Sequence, residues 1–97
     1  MNVIVYISGK VRGLKDYKRV FAEKERELKK AGYVVLNPAK LPEGLNPQSY
    51  MSICIPMIDA SDIVYVLNNY KTSSGAKAEI EYAKVQRKII RFQGSEA

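Results

Sequence analysis

The sequence contains no histidine and no tryptophan, and its single cysteine is Cys54. Without histidine the chain has no imidazole base, so a Ser-His-Asp triad and a histidine-ligated zinc site are both excluded. One cysteine cannot form an intrachain disulfide, and a lone cysteine in an apolar stretch is typical of a reducing, cytoplasmic setting. We therefore expect Cys54 to pack as a small core residue, and we expect no bound metal.

Long hydrophobic runs are also missing. The longest apolar runs, residues 3–7 and 63–67, are far shorter than the ~20 residues that a membrane-spanning helix requires. Met1 and Asn2 lead directly into the first run, which does not match the beginning of a secretory signal peptide. These features predict a protein without a membrane partner.

Length and composition are those of one ordinary globular domain, which we expect to span residues 1–97. The chain is 46% hydrophobic and 27% charged, so it lacks the low hydrophobicity and high net charge of disordered segments. Its 16 Lys and Arg residues outnumber its 10 Asp and Glu residues, which gives a net charge of +6. This excess favours an anionic partner, such as a nucleotide or a nucleic acid.

Segments with two different hydrophobic periods alternate along the chain. Nearly continuous β-branched runs predict buried strands, and apolar residues that recur every three or four positions predict amphipathic helices. The predicted order is strand 1–8, helix 14–31, strand 33–36, a helix from residue 47, strand 62–67, helix 76–86 and strand 88–92. Alternation of this kind is typical of a parallel sheet covered by helices.

Three local features add detail to these elements. Pro56 lacks the N–H that a helix interior needs, so we expect a kink or break within residues 52–56. Residues 93–97 follow the last strand and are expected to form a frayed tail. The residues of the third helix expected to face the core are Ile80, Ala83 and Val85.

The alternation predicts a flavodoxin-like α/β fold, a three-layer sandwich around a four-stranded parallel sheet, because right-handed crossovers allow few other topologies. In the expected strand order 2-1-3-4, the connections that follow strands one and three run in opposite directions. Ligands bind at such a switch point, beyond the C-terminal ends of the strands. The topology therefore predicts a site between two loops, residues 8–13 and residues 68–75.

The first of these loops combines small residues with two cations at the start of a helix. Ser8, Gly9, Lys10 and Arg12 stand where unpaired N–H groups and the helix dipole favour an anion, so they are candidate phosphate or carboxylate contacts. Alternatively, the glycine only permits a tight turn and the two cations are solvated. The loop is neither a Walker A sequence nor a complete GxGxxG motif, which argues against ATPase activity and dinucleotide binding. We expect no cofactor.

The second loop is rich in hydroxyl groups and ends at a helix. Ser73, Ser74 and Gly75 are candidate binding residues at the N-terminus of the third helix, and Glu79 stands about one turn inside it. Because helical side chains lean toward the N-terminus, the Glu79 carboxylate is expected to point toward the first loop. Each of these residues has an alternative role. Glu79 could instead complement the helix dipole or pair with a nearby lysine. Tyr6, on strand one, could instead be a core residue.

Two segments resemble a known family. Residues 6–13, YISGKVRG, and residues 73–79, SSGAKAE, are similar to the nucleoside 2-deoxyribosyltransferase superfamily, and in particular to its DUF4406 group. The resemblance covers almost the whole chain and includes Asn37-Pro38 and Tyr50-Met51 between the two segments.

This resemblance implies roles for individual residues, by analogy with the deoxynucleoside 5′-monophosphate N-hydrolases of the superfamily. Glu79 corresponds to the nucleophile that attacks C1′ of the deoxyribose and forms a covalent glycosyl intermediate, and Tyr6 orients it. The positions implied to contact the substrate or its phosphate include Gly9, Arg12, Ser73 and Gly75.

The chain also departs from the superfamily at two points. Where the characterised enzymes carry an aspartate that helps to protonate the leaving base, this chain has Cys54, and Asp59 and Asp62 are expected toward the opposite edge of the sheet. A thiol at this position predicts leaving-group catalysis weaker by the ~10²- to 10⁴-fold typical of one general acid. The later segment that completes the family's pocket, partly from a neighbouring subunit, has no counterpart here.

Three functional hypotheses follow. The first is an enzyme, a hydrolase or deoxyribosyltransferase that acts on the N-glycosidic bond of deoxynucleosides or their 5′-monophosphates. The second is a catalytically weak or inactive nucleotide-binding module of the same fold. The third is a nucleic-acid or protein interaction domain, which the interleaved Lys and Glu residues of the first helix disfavour. The expected partners are thus a small nucleoside or nucleotide and a second copy of the chain in a homodimer.

Overall fold

Four short strands form one parallel sheet in the computed structural model, which describes residues 2–95. The strands, in sheet order β2-β1-β3-β4, are β2 (Val34–Leu36), β1 (Ile4–Ser8), β3 (Ile63–Val66) and β4 (Ile89–Phe92). The predicted parallel sheet and its strand order are confirmed. In the central pair, Val5 lies opposite Ile63 and Ser8 lies opposite Val66, so β1 and β3 end at the same edge of the sheet.

Three helices cover the sheet, and the two-residue period of the strands decides which side chains each helix meets. The helices are α1 (Tyr17–Lys30), α2 (Pro47–Ala60) and α3 (Ser74–Val85). On one face Val5 and Ile7 of β1 pack with Phe21 of α1. On the other face Tyr6 packs with Cys54 of α2, together with side chains of α3. The result is the predicted three-layer α/β sandwich.

Helix α2 begins as its sequence predicts and is not interrupted at its proline. The Asn46 side chain accepts a hydrogen bond from the Ser49 N–H at 2.8 Å, and Pro47 occupies the first turn. Of the expected kink or break at residues 52–56, a break is ruled out, because the helix continues through Pro56 to Ala60. Pro56 and Ser52, four residues earlier, both lie on the exposed face of the helix. Water can therefore reach the carbonyl group that the missing N–H leaves unpaired.

Two other expectations need correction. Val85 was expected in the core, but it is 75% exposed, whereas Ile80 and Ala83 are buried. Two residues advance a helix by about 200°, so Val85 lies on the opposite side from Ala83. The tail is not frayed at its start, since the Gln93 N–H donates to the Val66 carbonyl at 2.8 Å. Residues 96 and 97 of that predicted tail lie outside the described residues.

The chain leaves β1 and β3 toward opposite faces of the sheet. The connection after β1 leads to α1, and the connection after β3 leads to α3 on the other face. The two connections diverge above the C-terminal ends of the central strands, which opens a cleft there. No helix among residues 2–95 is long and apolar enough to cross a membrane.

Candidate active site

The cleft at the switch point has a volume of about 380 Å³. Its walls come from the loop after β1, from the segment between β2 and the start of α2, and from the first turns of α3. Of the residues that the sequence nominates, those that line the cleft are Gly9, Arg12, Ser73, Ser74, Gly75 and Glu79. The structure therefore brings the two predicted loops to one concave surface.

Glu79 lies at the centre of this arrangement. Its side chain, on the second turn of α3, is only 4% exposed and reaches the cleft. The Ser8 hydroxyl donates a hydrogen bond to Glu79 Oε1 at 2.7 Å, and the Tyr6 hydroxyl donates one to Oε2 at 3.0 Å. Tyr6 and Ser8 alternate with Val5 and Ile7 along β1, so both project from the face that α3 covers. Two neighbouring strand positions thus hold one oxygen each of the same carboxylate.

Burial determines the protonation of this carboxylate. It raises the pKa of Glu79 to about 7, although the hydrogen bonds from Ser8 and Tyr6 favour the ionised form and counteract part of the increase. Burial, reinforced by the negative charge of Glu79, raises the pKa of Tyr6 well above its usual value. The Tyr6 hydroxyl therefore keeps its proton and remains a donor to Glu79 at neutral pH.

Ser8, predicted as a substrate contact, does not line the cleft. Its side chain is fully buried, and its hydroxyl is engaged with Glu79. The strand period accounts for this position, because Ser8 follows Tyr6 on the face that α3 covers rather than opening into the loop. The structure thus places Ser8 beside the carboxylate that it holds.

Cys54 lies beside the same group but does not line the cleft. It is fully buried on α2, and its thiol is close enough to Tyr6, Tyr50 and Glu79 to affect proton equilibria. Burial raises the pKa of Cys54 to about 11, so the thiol stays protonated at neutral pH. Tyr50, one turn before Cys54, is half-buried and does line the cleft; burial raises its pKa above the usual tyrosine range.

The loop after β1 is fixed by contacts on both of its sides. The Lys10 N–H donates to Asn69 Oδ1 at 2.9 Å, and the Lys10 ammonium donates to the Thr72 hydroxyl at 3.0 Å. Arg12 reaches the opposite wall of the cleft, where Nη2 donates to the Leu45 carbonyl at 2.9 Å. Lys10 therefore connects the two predicted loops from outside the cleft, whereas Arg12 stands in its lining.

Gly9 is required where the first loop crosses the end of β3. A methyl group added at Gly9 would lie 2.7 Å from Leu67 Cδ1, and Leu67 is itself only 1% exposed. We expect Gly9→Ala to lower the free energy of unfolding by about 1–3 kcal/mol, because a packed core has no room for the displaced leucine. Urea denaturation followed by circular dichroism measures this change.

Gly75→Ala is the matched control for that substitution. Gly75 lies in α3, has no heavy atom within 4 Å of an added methyl group, and does not have a positive φ. Alanine is favoured over glycine in a helix, although less in its first turn than in its middle, so this variant should be as stable as the parent chain or up to about 1 kcal/mol more stable. Equal stability of the two variants would contradict the proposed contact between Gly9 and Leu67.

The start of α3 supplies hydrogen-bond donors to the cleft. The Ser73 hydroxyl accepts from the Ala76 N–H at 3.1 Å, so this side chain is the N-cap of the helix. Ser74 is exposed and Gly75 is half-buried, and both line the cleft. Unpaired N–H groups and the positive end of the helix dipole therefore face the same space as the Arg12 guanidinium.

The third wall of the cleft was missed by the sequence analysis. No residue of the segment 39–49 or of the first helix is nominated for the site from the sequence, and Tyr50-Met51 enters only as part of the resemblance. The structure places Leu41, Leu45 and Met51 beside Tyr17 and Tyr50 in the cleft lining. The sequence did contain a signal for this wall. The segment follows a strand of the same parallel sheet, so it starts at the same edge as the other two loops.

A buried polar cluster holds the beginning of this wall. Asn37 accepts a hydrogen bond from the Ala39 N–H at 2.9 Å and donates to Glu25 Oε1 of α1 at 2.8 Å. Lys29 and Lys40 both pair with Glu25 Oε2. Burial disfavours the Glu25 carboxylate, but the hydrogen bonds and lysine charges prevail and lower its pKa to about 2. The cluster thus ties the segment after β2 to α1.

Comparisons with known proteins agree with this architecture. The family described as a domain of unknown function, DUF4406, matches residues 3–92. No curated protein matches the chain in sequence. The structure titled 2-desoxiribosyltransferase from Leishmania mexicana is similar, with a TM-score of 0.73 and 21% sequence identity. The match covers 93% of this chain and 63% of that one, so this chain spans less than two thirds of its length. At this identity the likeness shows the shared fold.

Proposed function

The chain belongs to the DUF4406 family and has the fold of a 2-deoxyribosyltransferase, and from this premise we propose that it is an enzyme acting on the N-glycosidic bond of deoxynucleosides or their 5′-monophosphates. In this proposal Glu79 is the nucleophile and Tyr6 orients it. The observation that carries the proposal is the pair of hydrogen bonds that fix both Glu79 oxygens at the cleft.

The proposed chemistry uses the ionised form of this carboxylate. One Glu79 oxygen forms a bond to C1′ of the sugar while the bond from C1′ to the base nitrogen breaks and its electron pair leaves with the base. Water then attacks C1′ in a hydrolase, or a second base does so in a transferase, and the carboxylate is regenerated. Tyr6 and Ser8 hold the nucleophile in one orientation, which lowers the entropic cost of attack.

We also propose that a substrate phosphate binds in the cleft between Arg12 and the N-terminus of α3. The cleft-lining groups there are the Arg12 guanidinium and the backbone N–H groups of Ser74 and Gly75. Such groups are suited to an anion, because the helix dipole and the cation both favour negative charge. The Lys10 ammonium, bound to the Thr72 hydroxyl, contributes positive charge beside this site.

Arg12→Ala should weaken binding of 2′-deoxynucleoside 5′-monophosphates by about 10- to 100-fold, because it removes a charge-assisted hydrogen bond. Affinity for the unphosphorylated deoxynucleosides should change much less. Isothermal titration calorimetry with both ligand forms measures the difference. Arg19→Ala is the control, since Arg19 pairs with Asp16 and Glu23 on the outside of α1. Equal losses for both ligand forms would contradict a phosphate contact by Arg12.

The proposed function is tested by chromatography of free base. The purified chain is incubated with deoxynucleosides, ribonucleosides and their 5′-monophosphates, with and without a second free base. Release from one class supports a hydrolase, and exchange of the added base supports a transferase. If every substrate stays intact, the enzymatic proposal fails.

A second candidate is a nucleotide-binding module that performs no chemistry. The buried Cys54 thiol favours it, because a protonated thiol outside the cleft is a poor source of a proton for a departing base. In that case nucleotide binding should be measurable by calorimetry while no free base appears. Binding that depends on Arg12 but not on Glu79 would support the module.

The remaining parts of the proposal concern assembly and location. We propose that the chain is a single domain that acts in the cytoplasm. We also propose that it forms a homodimer, because apolar side chains remain on its surface. Val85 is 75% exposed and Ile89 is 54% exposed. A monomeric mass in multi-angle light scattering would contradict the dimer.

A further inference from the structure

We propose that the preferred substrates of this cleft are N-glycosides whose base carries a fixed positive charge, such as a ring-alkylated purine or a pyridinium, and not neutral bases. The inference rests on the proposed function, since it names the class of substrate that the same site takes. It follows from the proton balance of the reaction and from the side chains that face the cleft.

A neutral base and a cationic base differ in what they need in order to leave. When the glycosidic bond breaks, its two electrons go to the ring nitrogen. A neutral base would depart as an anion unless an acid protonates it, whereas a cationic base becomes neutral and needs no proton. In hydrolysis, the proton from the attacking water must therefore end on the neutral base, but it passes to solvent when the base was cationic.

The titratable groups that line the cleft do not include a free acid for a neutral base. Among residues 2–95 these groups are Arg12, Tyr17, Glu43, Tyr50 and Glu79. Glu79 is the nucleophile and must be ionised, and arginine does not release its proton. Glu43 pairs with Lys18 at the solvent-exposed rim, at 2.9 Å. Tyrosine hydroxyls ordinarily titrate near ~10, which makes them weak proton donors at neutral pH.

The cleft lining also contains side chains that suit a cationic ring. Tyr17 and Tyr50 line the cleft, and aromatic faces attract cations through their quadrupole. Met51 adds a polarisable apolar contact, and the Glu79 carboxylate supplies negative charge when ionised. A flat cation is thus favoured by its surroundings in the bound state, and that charge disappears as the bond to C1′ breaks.

The test compares 7-methyl-2′-deoxyguanosine 5′-monophosphate with 2′-deoxyguanosine 5′-monophosphate. The two share a sugar and a phosphate and differ in the charge on the base. Free base is measured by chromatography, and the release observed with Glu79→Gln is subtracted because the methylated nucleotide also depurinates spontaneously. We expect kcat/KM to be at least ~10²-fold higher for the cationic substrate, the contribution usual for one general acid.

The pH profile provides a second readout. For a pyridinium nucleotide, whose ring has no N–H to titrate, the rate should rise through the pKa of Glu79, about 7, and then level off, because only the ionised nucleophile is required.

Three outcomes overturn the inference. Comparable kcat/KM values for the two nucleotides would reject the preference for cationic bases while leaving Glu79-dependent cleavage intact. A bell-shaped pH profile for the pyridinium nucleotide would show that the cleft supplies a proton. An absence of Glu79-dependent release from both nucleotides and from all other deoxynucleosides would reject the proposed function as well.

Discussion

Glu79→Gln should reduce the release of free base by roughly 10⁴-fold or more, the size of loss seen when a covalent nucleophile is removed. Glutamine has nearly the same shape, but its amide cannot form the glycosyl ester with C1′. The fold should be retained, because the amide oxygen can accept one hydroxyl hydrogen bond and the amide NH₂ can donate to the other hydroxyl. Base release, measured by chromatography at equal protein concentration, gives the result.

The control for this substitution is Glu81→Gln on the same helix. Glu81 is exposed and pairs with Lys84 at 3.1 Å, away from the cleft lining. Removing that pair should change stability by less than ~1 kcal/mol and leave base release unchanged. If Glu79→Gln retained the activity of Glu81→Gln, Glu79 would not be the nucleophile.

The stability of the chain should fall as pH rises from about 4.5 to 7, in contrast to the usual behaviour of a carboxylate. The folded pKa of Glu79 is raised from 4.5 to about 7, so the folded state holds a proton that the unfolded state has already lost in this range. The ionised carboxylate is therefore the less stable form in the folded chain. The expected contribution is a loss of about 3 kcal/mol between pH 4 and pH 8.

Urea denaturation at a series of pH values measures this slope, and Glu79→Gln should remove it. Glu25 provides an internal contrast, because its folded pKa is lowered to about 2. Its contribution to stability is complete above pH 4.5 and is lost as pH falls through 2, so the two carboxylates act in different windows. An equal slope between pH 4.5 and 7 in both the parent chain and Glu79→Gln would show that Glu79 is not buried as described.

Most of the fold could be predicted from the sequence, because the sequence patterns of strands and helices are local and periodic. Uninterrupted β-branched runs predicted β1 and β3, and apolar residues recurring every three or four positions predicted α1. The chirality of the connections then left few arrangements, and the order β2-β1-β3-β4 was among them. The incorrect predictions also concerned single positions. Val85 lies two residues beyond Ala83 and therefore on the other side of α3. Pro56 does not break α2, because it lies on the solvent-exposed face of that helix.

The candidate site was only partly predictable. Glu79, Tyr6 and the two loops could be nominated from the sequence, partly through the resemblance to the superfamily. Ser8 was predicted to contact the substrate, whereas its hydroxyl donates to Glu79 in the structure. Tyr17 was not nominated, and Tyr50 entered only through the resemblance, although both line the cleft.

By itself, then, the sequence determined the type and succession of the elements and the residue types available for chemistry, since these follow from spacing along the chain, and it left few possible strand orders. Only the tertiary structure decided the partners and the protonation of Glu79. Ser8 and Tyr6 are 71 and 73 positions from Glu79, and the sheet and α3 must both be in place before their hydroxyls meet its carboxylate. The same packing removes water from that carboxylate and raises its pKa to about 7, because desolvation depends on every neighbouring group and not on residue type.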